Sequence, residues 1–364
     1  MRLALITPLV DPANPLLGFI HTWVGQLAER VDHLSVLQLW RSAPALPSNV
    51  DLYSLDRSGP GGKAAVLARL SMTLARLCWR GRLDGVIAHM GPIFAVCAAP
   101  VVKPARIPLA LWYAHGAVSP MLRLAHQLVD RAGTSTPDGF RIPSTKLTIT
   151  GQGIDTMRFA PRGQRDDRLI VSIGRISPVK HYETVIHAMA DLRARGESDV
   201  RLRIIGGVTL PSEYAYREKL TGLVQGLELS RQVEIVEGIP HDQIASEYQR
   251  AGLFVSCSQT GSLDKAVLEA ASAGALPITT NPALGEFFEE ARSDHMPSES
   301  PDCVAALMQY WLNQPSGVRM RRAAVLRERV VRNHSVHHLA DELVRLVRPI
   351  RPAQRGLSLT GDAR

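Results

Sequence analysis

Residues 170–189, IVSIGRISPVKHYETVIHAM, and residues 253–281, LFVSCSQTGSLDKAVLEAASAGALPITTN, decide the fold. Each reads as a short buried run, a polar loop carrying a cation or a carboxylate, and then an amphipathic helix. A strand followed at once by a helix is the repeating unit of a parallel α/β sheet. A helix N-terminus facing such a loop offers unpaired N–H groups and roughly half a positive charge, so two such units side by side form a cradle for a diphosphate.

The same alternation extends outward on both sides. Before residue 150 it runs through LALITPLV (3–10), GFIHTWVGQLAERV (18–31), HLSVLQL (33–39), DGVIAHM (84–90), PLALWYAHG (108–116) and KLTITGQG (146–153). A polar, proline-bearing stretch, DTMRFAPRGQRDD (155–167), separates this series from a second. The second comprises LIVSIGR, a helix over 182–195, RLRIIGG, a helix within 213–229, QVEIVEG, a helix near 241–251, LFVSCS and a helix over 263–274. Two Rossmann-like units are therefore expected, with ligands in the cleft outside the carboxyl ends of their strands. The expected bounds are 1–154 for an N-terminal domain, 155–167 for a linker, 168–335 for a C-terminal domain, 336–351 for a terminal helix and 352–364 for a disordered tail.

Composition narrows the function classes. The 364 residues, 45% hydrophobic and 21% charged, suffice for two cores. The longest apolar run, 93–102, is half what a membrane span needs. The apolar start MRLALITPLV meets Pro8, Asp11 and Pro12 without a cleavage pattern and reads as the first strand. Cys78, Cys97, Cys257 and Cys303 lack CxxC spacing, so a cytoplasmic chain without zinc or disulfides is expected. The net charge of +8 favours anionic partners. Only six of the 42 cations are lysine, and two of these, Lys180 and Lys265, fall in the opening stretches, where a compact point charge suits a phosphate.

Within those stretches, Gly174 ends a strand and lets the backbone turn, and Arg175 and Lys180 follow where their charges can converge on one anion. A departing diphosphate gains charge in the transition state, which fixed cations stabilise. Glu269 lies early on its helix, placed to accept hydrogen bonds from adjacent ribose hydroxyls. Asp264 is well placed as an N-cap, which by itself explains its presence. His334, His337 and His338 have helical spacing but no fourth ligand, so no metal site is expected. P-loop, GxSxG, HExxH and DxD patterns are absent, which removes the common NTPase, hydrolase and metal-dependent readings. The amphipathic segment 63–82, KAAVLARLSMTLARLCWRGR, either docks its leucines on a sheet or lies on an anionic membrane. Dispersed arginines without an aromatic platform argue against nucleic acid.

GRISPVKHYETVIHAM and SCSQTGSLDKAVLEAASAGALPITTN resemble the donor-binding half of the retaining GT-B glycosyltransferases, specifically glycosyltransferase family 4. GQGIDTMRFAP (151–161) is similar to the family's interdomain segment, VEIVEGIPHDQIASEYQRAGLFVS to the strand and helix before its donor loop, and LGFIHTW, AHM and WYAHG to its N-terminal elements. The resemblance implies two facing Rossmann-like domains, a C-terminal helical segment crossing back, and transfer of a sugar from a nucleotide sugar to a hydroxyl acceptor in glycan or glycolipid assembly, without a metal or other cofactor.

It implies that Arg175 and Lys180 hold the diphosphate and Glu269 the ribose. Gly174, Gly206, Gly207, Glu237, Gly238 and Ile239 would line the nucleotide, and Ser262, Leu263, Asp264, Lys265 and Ala266 would meet phosphate or sugar. Gly18 would let a loop approach the diphosphate, and His115 would stand near the donor sugar. Family members usually carry a second glutamate eight positions before Glu269, where this chain has Gly261, a GSLDK variant. Asp264 or Lys265 is then expected to take over part of the sugar recognition. A lipid-linked sugar acceptor and peripheral contact with an anionic membrane, from the cytoplasmic side, complete the expectation. The alternatives are a GT-B epimerase or phosphorylase, or a non-catalytic sugar-nucleotide-binding protein.

Overall fold

A computed structural model of the chain describes residues 1–348 apart from 15–16, 58–60, 82, 209, 241–242 and 259–262. Gly261, Ser262 and the tail 352–364 thus lie outside the described residues.

The first half builds one all-parallel sheet from β1 (Arg2–Thr7), β2 (His33–Gln38), β3 (Val50–Ser54), β4 (Gly85–His89), β5 (Leu109–Trp112), β6 (Arg131–Thr134) and β7 (Leu147–Ile149), in the order β3-β2-β1-β4-β5-β6-β7. Its helices are α1 (Phe19–Ala28), α2 (Gly62–Trp79), α3 (Pro92–Val102) and α4 (Pro120–Leu128). A second parallel sheet, β10-β9-β8-β11-β12, uses β8 (Asp166–Ile173), β9 (Arg201–Gly206), β10 (Val233–Glu237), β11 (Ala251–Ser256) and β12 (Leu276–Thr279). It carries α5 (Tyr182–Ala194), α6 (Pro211–Gly226), α7 (Ile244–Arg250), α8 (Lys265–Ala273), the single turn α9 (Gly285–Phe288), α10 (Pro301–Leu312) and α11 (Ser316–His334). The last described helix is α12 (Val336–Val347).

Central strands such as β4 and β11 are buried at every position, as expected of a parallel sheet covered on both faces, and this is why they read as continuous apolar runs. The run at 93–102 is a helix: α3 is wedged between α2 and α4 and has little surface to keep polar. β3 and β6 carry no such signature, being short and partly exposed or glycine-bearing. Leu70, Leu74 and Leu77 of α2 are buried in the core with α3, so the docking reading holds for its leucines.

α12 returns to the first half and packs Leu339, Leu343 and Leu346 against Leu3, Ile20 and Trp23. At the crossing, the Ile154 N–H donates to His334 O at 2.7 Å and the Val336 N–H to Ile154 O at 2.8 Å. Gly151 makes this crossing possible. Its φ is +73°, and a Cβ there would stand 2.0 Å from Asn333 O.

Candidate active site

Each sheet reverses its direction of winding once, between β1 and β4 in the first and between β8 and β11 in the second. Ligands on such sheets bind beyond the carboxyl ends of the strands at that reversal, where successive connections leave to opposite sides. β8 and β11 are the strands of the two opening stretches, so their loops emerge side by side. Lys180 Nζ donates to Asp264 Oδ2 at 3.0 Å and ties one loop to the other.

Asp264 is nearly enclosed. Its Oδ2 also accepts Ser256 Oγ at 2.9 Å, and its Oδ1 accepts the Ala266 N–H at 3.3 Å as the N-cap of α8. With both oxygens engaged, Asp264 caps α8, orders the loop and holds Lys180. The Ala266 N–H, expected to meet a phosphate, is likewise taken by the cap. Arg175 does not share the Lys180 partner: its Nε lies 3.2 Å from Glu213 Oε1 of α6. The two cations therefore rest on separate carboxylates, and an arriving diphosphate would compete with both.

The loops after β8, β9 and β10 approach backbone to backbone. A Cβ on Gly174 would lie 3.0 Å from Lys180 Cε, one on Gly206 1.9 Å from Gly174 O, and one on Gly238 2.9 Å from Gly207 Cα. Tyr182 fixes the first of these loops by donating its hydroxyl to Gly174 O at 2.9 Å. Beyond them Glu237 and Gly238 are exposed and Ile239 is half-buried against the core.

On α8, Lys265 and Glu269 stand one turn apart and face the first half of the chain. Lys265 Nζ lies 3.4 Å from the centroid of the Phe19 ring, a cation–π contact across the two halves. Burial pushes its pKa down to about 8, and Glu269 opposes the shift. The Glu269 carboxyl is pushed up by burial, while Lys265 and the Tyr248 hydroxyl, donating to Oε2 at 3.2 Å, pull it back. Phe19, Thr22, Asp155 and Arg158 close the small cavity in front of them. Of the two residues expected to compensate for Gly261, Lys265 is the one directed into this cleft.

Gly18 precedes Phe19 in a loop folded so closely that a Cβ would stand 2.7 Å from Asn14 O. Behind Phe19, the His89 ring packs against Trp23 and Trp112, accepts or donates at Thr7 Oγ1 over 2.9 Å, and is held neutral by burial, its pKa pushed down to about 3. His115 is exposed at the end of β5. Its Nδ1 accepts the Ala117 N–H at 3.1 Å, so the neutral ring carries its proton on Nε2. No contact among the described residues joins His115 to the Lys180–Asp264 pair. Leu263 is buried just ahead of α8.

Tyr248, Ser256, Glu213 and Phe19 support the site without having been singled out from sequence. Three of them were within view, since Tyr248 and Ser256 lie in the recognised stretches and Phe19 follows Gly18. Glu213, on a different helix, gave no local signal.

Residues 153–327 match the family described as "Glycosyl transferases group 1". Among curated proteins, the chain is 25% identical to a D-inositol 3-phosphate glycosyltransferase of Rhodococcus opacus, over 55% of this chain and 47% of the relative. It is 29% identical to a GDP-mannose-dependent alpha-(1-6)-phosphatidylinositol monomannoside mannosyltransferase of Mycolicibacterium smegmatis, over 32% of each. The chain thus spans about half or less of the length of these relatives. Among solved structures, a glycosyltransferase from Rickettsia africae superposes with a TM-score of 0.75 at 12% identity, over 95% of this chain and 97% of that one. Anabaena HepE in complex with UDP and glucose superposes with a TM-score of 0.72 at 15% identity, over 95% and 98%. The chain has the GT-B fold: two facing parallel α/β domains and a helical C-terminal segment.

Proposed function

We propose that the chain is a retaining, metal-independent glycosyltransferase of the family 4 type, moving a hexose from a nucleotide sugar onto a hydroxyl acceptor in glycan or glycolipid assembly. The observation that carries this reading is the meeting of the β8 and β11 loops through Lys180 and Asp264 at one winding reversal, opposite Phe19 at the other. Arg175 and Lys180 exchange their carboxylate partners for the donor diphosphate and stabilise it as it leaves. Glu269, held by Tyr248, accepts the ribose hydroxyls, and the exposed Glu237–Gly238 edge borders the base. Lys265 reaches the transferred sugar in place of the missing glutamate, and His115 offers its Nε2–H toward the same sugar. A donor phosphate oxygen takes the acceptor proton as the glycosidic bond breaks, so no protein nucleophile is needed, and two cations in a closing cleft do what a metal would otherwise do.

A relative named for GDP-mannose and a structural neighbour in complex with UDP and glucose support a sugar nucleotide as donor. The outer side of α2 presents Met72, Arg76, Trp79 and Arg80 and suits peripheral contact with an anionic leaflet, where a lipid-linked acceptor would lie. The testing experiment is turnover of a nucleotide-sugar panel with and without acceptor in EDTA, with NMR of the product. Acceptor-dependent release of nucleoside diphosphate and retained anomeric configuration are expected; an inverted product, or a requirement for a divalent ion, would refute the corresponding part.

A further inference from the structure

We propose that a second crevice between the two sheets binds a neutral pyranose ring, the sugar of an acceptor glycan; the assignment to an acceptor rests on the transferase reading above. The crevice has a volume of about 300 Å³, at the lower end of small-molecule sites. Its walls come from both halves: Ser135 and Thr136 after β6, Leu263 ahead of α8, Glu286 and Phe287 of α9, and His334 at the end of α11. β7 and β12 are edge strands of their sheets, and Ile149 of β7 and Ala283 just after β12 line the crevice; β10, whose loop is proposed to border the nucleotide, is the opposite edge of the second sheet. The crevice therefore opens at the end of the cleft away from the nucleotide and adjoins the donor loop at Leu263.

Two polar atoms in these walls lack hydrogen-bond partners. Thr136 Oγ1 and His334 Nδ1 are unpaired although their residues are only 7% and 9% exposed. Buried polar atoms are nearly always paired, and two orphans on one cavity indicate a missing polar ligand. Burial pushes the His334 pKa down to about 4, so the ring is neutral near pH 7, with one donor and one acceptor nitrogen, the complement of a hydroxyl group. Arg329 is the only Arg or Lys among the described lining residues, and its guanidinium is spent on Glu289 at 2.7 Å and on the carbonyls of Phe287 and Phe288. No cation is left for a phosphate, while Glu286 repels anions and accepts from hydroxyls. Phe287, Ile149 and Leu263 supply the apolar wall on which the C–H face of a pyranose stacks.

The test is saturation-transfer NMR on the full chain with the methyl pyranosides of glucose, mannose and galactose, with and without saturating UDP or GDP, run beside a donor-turnover assay. At least one glycoside is expected to give a signal that persists with the diphosphate bound. Thr136→Val and Glu286→Gln, at unchanged melting temperature and diphosphate binding, should each reduce it at least fivefold. Silence across the panel, a signal abolished by the diphosphate, or equal signals in wild type and both variants would overturn the proposal. A glycoside signal without donor turnover keeps the sugar site and removes the transferase reading; turnover without the signal does the reverse.

Discussion

Lys265 departs from the ordinary chemistry of its type because its ammonium is enclosed against Phe19 and depends on Glu269 for charge compensation. Its pKa of about 8 lies below the ordinary 10.5, so between these values the folded chain binds fewer protons than the unfolded one. The group's stabilising contribution is complete above pH 10.5 and is lost as pH falls through about 8. Lys265→Met should therefore be more stable than wild type at pH 7 in chemical denaturation, with the gap closing between pH 8 and 10.5; a gap independent of pH would contradict this. If Lys265 serves the donor sugar, kcat/KM should also show an alkaline limb near pH 8 that the variant lacks. Glu269→Gln removes the charged acceptor proposed for ribose, a hydrogen bond of about 1.5–3 kcal/mol, so donor binding should weaken roughly tenfold to a hundredfold by calorimetry. At this scale the sequence was informative about which residues gather and less so about their tasks. Asp264 was rightly seen as a cap, but its grip on Lys180 depends on two loops eighty-odd positions apart meeting in space, which no local pattern encodes.

Among the elements, the loops after β8, β9 and β10 are interlocked through close glycine backbones, with the Tyr182 hydroxyl fastened to Gly174 O. Gly206→Ala would drive a Cβ into Gly174 O, whereas Gly207→Ala meets nothing within 4 Å. The first should lower the melting temperature and the second should leave it near wild type; matching behaviour of the two variants in thermal melts would disprove the interlock. α2 offers a parallel contrast. Its buried leucines serve the core, and its outer Trp79, 93% exposed, serves none of it. Replacing Arg76, Trp79 and Arg80 by Ser should leave stability unchanged and abolish sedimentation with phosphatidylglycerol vesicles; unaltered sedimentation would remove the proposed membrane contact. Strands buried on both faces were legible as apolar runs. β3 and β6 were not, because partial exposure and Gly133 dilute the pattern, and α3 was ambiguous because a helix buried all round loses its amphipathic stripe.

For the whole molecule, the arrangement that matters is the opposition of two winding reversals, with α12 and the Gly151 crossing holding the halves face to face. The repeat of strand, loop and helix made the two-sheet architecture readable, since each unit is local. The pairing of Arg175 with Glu213 and the contact of Lys265 with Phe19 were not readable, since both are products of assembly. The most direct test is acceptor-dependent release of nucleoside diphosphate, compared between wild type and Lys180→Ala across a nucleotide-sugar panel. Wild type should turn over at least one donor, and the variant should lose roughly 10²–10³-fold in kcat, the usual effect of removing one fixed transition-state contact. Equal rates in the two proteins, or no turnover of any donor by a wild type that binds them, would contradict a transferase built on this cradle.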